Sequence, residues 1–143
     1  MRGLLDVNVL IALLDEAHVH HRLAMDWLGT NIVHGWASCP LTQIGCVRIM
    51  SQPAYPNPQP TALVAERLRT AARDRHHEFW GADVDLLAER SFAWEGILGS
   101  RVVTDAYLLA LAVSHLGRFV TFDRRVPIAA VSDAEDGHLV VIG

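Results

Sequence analysis

Three aspartates, Asp6, Asp105 and Asp123, stand where short apolar runs give way to a turn or to a helix start. Asp6 follows Gly3-Leu4-Leu5 and precedes the run Val9 to Leu14. Asp123 follows Phe119 to Phe122, and Asp105 opens an almost wholly apolar stretch, Ala106 to Leu116. Carboxylates brought to one place repel one another and resist ionising together unless a cation neutralises them. With oxygen donors and no Cys or His beside them, the natural counterion is hard, magnesium or manganese. A divalent ion held this way, with open water positions, can orient and activate a water against a phosphodiester and stabilise charge on the leaving oxygen. Asp is also common after strands and at helix starts for turn and capping reasons. Three at equivalent strand ends, all bracketed by apolar runs, favour the chemical role.

The elements that must carry these residues follow from periodicity and punctuation. Leu4 to Leu14 predicts strand, sharp turn, helix. His18 to Leu28 predicts a second helix, with Val19, Leu23 and Trp27 about a turn apart. Ile32 to Ala37 is a short strand candidate, and Pro40 opens a helix with Leu41, Ile44 and Val47 on one side. Four prolines make Ser51 to Pro60 a loop. Thr61 to Arg73 reads as an amphipathic helix whose outward side carries Arg67, Arg69 and Arg73. His77 to Trp80 is a strand candidate, Asp85 to Glu95 a helix ending near Gly96, and Arg101 to Val103 a brief extended piece. Thr104 is placed to cap the helix starting at Asp105, and Gly117 to end it. Arg118 to Phe122 and Leu139 to Ile142 are the last strands. Alternating strands and helices predict one α/β domain over residues 1–143, a mostly parallel sheet with helices on both faces. Asp6, Asp105 and Asp123 then share the carboxyl edge of the sheet, where such folds bind ligands.

The chain has 143 residues, 51% of them hydrophobic, and a net charge of −4 with His neutral. That size buries about two-thirds of the unfolded surface. The mild acidity argues against a basic groove over the whole surface, though not against a local cationic rim. No run approaches the roughly 20 apolar residues of a membrane span. Cys39 and Cys46 are too few for a disulfide framework, and no Cys/His spacing matches a zinc site. The expectation is a cytoplasmic protein with reduced thiols.

Leu5-Asp6-Val7-Asn8-Val9-Leu10, Pro40-Leu41-Thr42-Gln43-Ile44-Gly45-Cys46-Val47-Arg48-Ile49, Val103-Thr104-Asp105-Ala106-Tyr107-Leu108 and Thr121-Phe122-Asp123-Arg124 together resemble a PIN-domain protein, specifically a VapC-type toxin of a toxin–antitoxin pair. Order and spacing match over nearly the full chain. The resemblance implies a PIN-like α/β/α sandwich and a Mg2+- or Mn2+-dependent endoribonuclease that cuts structured RNA such as tRNA or ribosomal RNA. It further implies a VapB-type antitoxin partner, and a homodimer or a toxin–antitoxin hetero-oligomer. It supports Asp6, Asp105 and Asp123 as catalytic metal ligands. The family's second acid, usually Glu after Thr, falls on Gln43, which brings no charge and is left as a second-shell or pocket residue. Asn8 and Thr121 sit beside the acids and can orient them, Asn8 also being a candidate helix cap. Arg124 is placed to contact substrate phosphate, to pair with Asp123, or simply to be solvated.

His18, His20 and His21 lack a Cys, Asp or Glu to complete a zinc set. Trp27, Trp36, Trp80 and Trp94 read as core or interface anchors. Two other functions compete. One is a PIN module that binds RNA or a protein and has lost turnover through Gln43. The other is a phosphotransfer domain of the receiver or haloacid-dehalogenase type, disfavoured because the chain has no Lys and the second acid of the dehalogenase pair is Asn8.

Overall fold

Neighbouring residues on each strand face opposite sides of a pleated sheet, and in the three central strands a buried apolar residue faces each side. The computed structural model, which describes residues 1–143, sends Leu4, Ala37 and Phe119 into one core and Leu5, Trp36 and Val120 into the other. Strands buried on both faces need helices on both faces, and the chain supplies them.

The strands are β1 (Gly3–Leu5), β2 (Trp36–Ser38), β3 (His77–Phe79), β4 (Arg118–Thr121) and β5 (Leu139–Val141). All pair in parallel, in the order β3-β2-β1-β4-β5. The helices are α1 (Val7–Leu14), α2 (His21–Asn31), α3 (Pro40–Met50), α4 (Thr61–Ala72) and α5 (Val103–Ser114). Helices α1, α3 and α4 pack Val9, Ile11, Cys46, Met50, Val64 and Leu68 against one face of the sheet. Helix α5 covers the other with Leu108, Leu109 and Leu111, joined by Trp80 and Phe92. The result is a three-layer α/β/α sandwich. Close approach of α1 and α3 depends on Gly45, where a Cβ would stand 2.7 Å from a Val7 methyl.

The chain runs outwards from β1 to β3, then returns to the other side of β1 at β4. The strand order therefore reverses between β1 and β4, the place where open parallel sheets leave a crevice at the carboxyl ends. Asp6 follows β1 and Asp123 follows β4.

Five expectations need correction. Residues 32–34 are not strand but a 3-10 turn, Ile32–His34, and β2 starts only at Trp36, after Gly35 at φ 75°. Residues 85–95 are not a helix. Asp85 folds its carboxylate onto the Leu87 N–H, a local turn that competes with helix. The later backbone bonds leave sideways, Ala93 N–H to Ala130 and Ser132 N–H to Ser91, with Phe92 bridging Val131. Residues 101–103 are not extended: a 3-10 turn, Ser100–Val102, runs directly into α5 at Val103. Thr104 consequently lies inside the first turn, and Val102 holds the cap position without a side-chain bond. Finally, Gly117 is not the left-handed residue at the end of α5. Leu116 takes that conformation (φ 57°), and the Gly117 N–H closes the end on the Ala112 carbonyl at 2.8 Å. Gly117 is needed for space, since a Cβ there would lie 2.6 Å from the Arg2 carbonyl.

Candidate active site

Asp6 is the most buried of the acids, 8% exposed. It is the cap residue of α1, its Oδ1 accepting the Val7 N–H at 2.8 Å. Its Oδ2 accepts the hydroxyl of fully buried Thr121 at 2.7 Å. The same hydroxyl accepts the Asp123 N–H at 3.1 Å, so Thr121 ties the ends of β1 and β4 together. Burial raises the Asp6 pKa, and the charge of Asp123 adds to the rise. The bonds from Thr121 and Val7 pull the other way.

Asp105 is the third residue of α5, half-buried in its first turn, where the helix dipole favours a negative charge. Burial, then the charges of Asp6 and of Asp123, nonetheless push its carboxyl up to about 6. Only the charge of Arg125 opposes them. Asp123 goes the opposite way. Its Oδ1 accepts Arg125 Nε at 3.0 Å and the Arg125 backbone N–H at 2.8 Å, and its Oδ2 accepts Nη2 at 2.8 Å. This two-pronged clamp lowers its pKa to about 2.

All three acids thus feel one another's charge at the switch point of the sheet. Their oxygen-only donor set, with like charges partly withdrawn from water, suits a hard divalent cation. As the side chains stand, no three acidic, His or Cys groups are spaced to grip one ion.

Gln43 lies on the first turn of α3. Its side-chain amide donates to the hydroxyl of buried Ser38 at 3.0 Å, and that hydroxyl lies 2.8 Å from His77 Nε2. Nothing local in the sequence links Ser38 to His77, 39 positions later, and the sequence alone reads His77 as a surface residue at a strand entry. Thr42 is spent on structure, its hydroxyl bonding both the N–H and the carbonyl of Cys39 at the start of α3.

Asn8 is exposed on α1 and does not cap it; Asp6 does. Arg124 does not pair with Asp123. It is exposed and reaches only the Gly143 carbonyl, at 3.4 Å, while the next residue makes the clamp. A signal for Arg125 existed. A turn in which Asp accepts the N–H two residues on brings the side chain of an Asp-x-Arg triplet back over the carboxylate. The histidines of 18–21 form no metal set: the rings of His18 and His20 stand 5.8 Å apart, but His21 turns away to donate to the Ala12 carbonyl, and His20 packs on Phe122 with ring centres 5.0 Å apart.

The sequence pattern of the PIN domain matches residues 3–132. This chain belongs to the PIN-domain family. Within it, the chain is 49% identical over 142 residues to Ribonuclease VapC44 of Mycobacterium tuberculosis, covering 99% of this chain and 100% of that protein. It is 38% identical to Ribonuclease VapC39 of the same organism over 99% of each chain. It is 40% identical to Ribonuclease VapC38 over 87% of this chain and 86% of that one. These likenesses place it in the VapC-type branch of the PIN family. No helix is long and apolar enough to cross a membrane.

Proposed function

We propose that this protein is a metal-dependent endoribonuclease toxin, with Mg2+ or Mn2+ held by Asp6, Asp105 and Asp123. The observation that carries this is the meeting of three mutually repelling carboxylates at the switch point of a PIN-type sheet. The nearly full-length likeness to proteins named ribonucleases supports RNA as the substrate. When bound, the ion supplies positive charge for the leaving oxygen and lowers the pKa of a water. The chain's own part is placement. Thr121 and the start of α1 hold Asp6 with both oxygens oriented, and the first turn of α5 presents Asp105 from the opposite layer. No side-chain nucleophile is required, and water is the attacking group.

The remaining parts of the proposal follow the family. Residues 1–143 act as a single domain on structured RNA, tRNA or ribosomal RNA, in the cytoplasm. A VapB-type antitoxin holds the activity in check, in a homodimer or a toxin–antitoxin hetero-oligomer. Asn8, Gln43 and Thr121 support the acids or line the substrate path.

Purified protein incubated with total tRNA and ribosomal RNA in Mg2+ or Mn2+ should give discrete cuts that disappear in Asp6→Asn and Asp105→Asn. Wild type as silent as both variants, while RNA still binds, would sink the enzyme and leave a binding module. The amide at 43 favours a weakened site as a second reading, since Gln43 donates to Ser38 and brings no charge. Gln43→Glu separates the two: a large gain in cleavage marks a degenerate site, little change a tuned one.

A further inference from the structure

Beside the acidic edge, the loop leading into α5 and the segment after Asp123 enclose a second cleft of about 500 Å³. Gly99, Ser100, Arg101, Arg125 and Pro127 line it, and its only charged residues are the two arginines. Arg101 is exposed and makes no ion pair. Arg125 borders the cleft from the other side while its guanidinium is laid on Asp123. In a protein of net charge −4, a cleft with two cations and no acid in its lining stands out. It lies next to the three carboxylates that would cut the phosphodiester.

The clamp is informative in itself. Asp123 Oδ1 accepts two bonds from Arg125, through N and Nε, which engages both of its lone pairs. A cation taking that oxygen must displace Nε, and the positive guanidinium repels the incoming ion. A guanidinium fork fits a phosphate as well as it fits a carboxylate. The Arg125 side chain is 64% exposed, and Asp123 is the only group to which it hydrogen-bonds.

Resting on the nuclease reading above, we propose that Arg125 and Arg101 form a binding cleft for an RNA phosphate beside the acidic edge. Arg125 is released into it when a divalent ion takes Asp123. Metal and RNA binding are thereby coupled through one side chain: without the ion Arg125 occupies Asp123, and with it the guanidinium turns to the phosphate. Arg125 is in this sense a positioning residue whose partner changes with metal.

The test measures Mn2+ affinity by paramagnetic resonance titration, and binding of a fluorescein-labelled mixed-sequence RNA hairpin by anisotropy, the latter in Ca2+ and in EDTA. Arg125→Ala should raise Mn2+ affinity several-fold in the absence of RNA. It should weaken hairpin binding roughly tenfold in Ca2+, with the salt slope reduced by about 1, and by less than about twofold in EDTA. Arg101→Ala should weaken hairpin binding with and without the ion while Mn2+ affinity stays as in wild type. Lower Mn2+ affinity in Arg125→Ala would mean that the clamp merely positions Asp123, and would overturn the proposal. So would an equal loss of hairpin binding with and without Ca2+. A wild type that binds and cuts RNA but is insensitive to both arginines overturns the cleft alone. A wild type that binds no RNA overturns the cleft and the nuclease together.

Discussion

At Asp105, burial and the charges of Asp6 and Asp123 all oppose ionisation, which is why its carboxyl is pushed up to about 6. Eighteen positions later in the chain, Asp123 has the same chemistry in the opposite environment, held near 2 by the Arg125 clamp. The raised value has a sign in stability. Below about pH 3, Asp105 is protonated in both folded and unfolded chains and contributes nothing. As pH rises towards 6 and beyond, the unfolded chain ionises it freely while the folded chain does so at a cost. In EDTA, Asp105→Asn should therefore be more stable than wild type at pH 7.5, by roughly 1 kcal/mol once half-exposure is allowed for. The gain should vanish by about pH 3. Paired denaturant titrations at the two pH values check this, and a constant difference at both would refute the charge origin. The three aspartates were legible at this scale because each ends or opens an apolar run. Arg125 leaves no trace in apolar periodicity, and only the Asp-x-Arg spacing of a turn marks it.

At the scale of elements, legibility followed how strongly each segment is bound to one partner. Strands β1 and β4 and helices α3, α4 and α5 have apolar faces that settle their conformation, and they were read within a few residues. The stretch 85–95 has helix-compatible composition, yet its backbone bonds go to residues 130–132. Tyr107 draws the Val84 carbonyl to α5 at 3.0 Å. Local propensity lost there to a tertiary partner 40 residues away in sequence. The end of α5 makes a related point, with the left-handed conformation falling on Leu116, 83% exposed, rather than on the neighbouring glycine. Leu116→Gly should stabilise the protein by roughly 0.5–1 kcal/mol, because the β-carbon clash disappears and little apolar contact is lost. A thermal melt that falls instead would show that Leu116 packs more than its exposure indicates.

For the whole molecule, the deciding feature is the reversal of strand order between β1 and β4, which gathers residues 6, 105 and 123 from the two ends of the chain. Three charges brought together by folding, and apart in the unfolded chain, make metal binding a source of folding free energy. At a concentration 100 times its dissociation constant, Mg2+ or Mn2+ should add about 2.7 kcal/mol, roughly 10 °C in the melting midpoint. Asp105→Asn should show almost none of that shift, and an equal shift in both would place the ion elsewhere. By itself the sequence determined the alternation of strands and helices, the parallel sheet and the three acids at its carboxyl edge. Apolar runs and the residues that interrupt them are local facts. Only the tertiary structure decided which acid is raised and which lowered, that Thr121 joins Asp6 to Asp123, and that Arg125 rather than Arg124 faces the site. Those outcomes depend on burial and on distances between residues far apart in the chain, which folding alone sets.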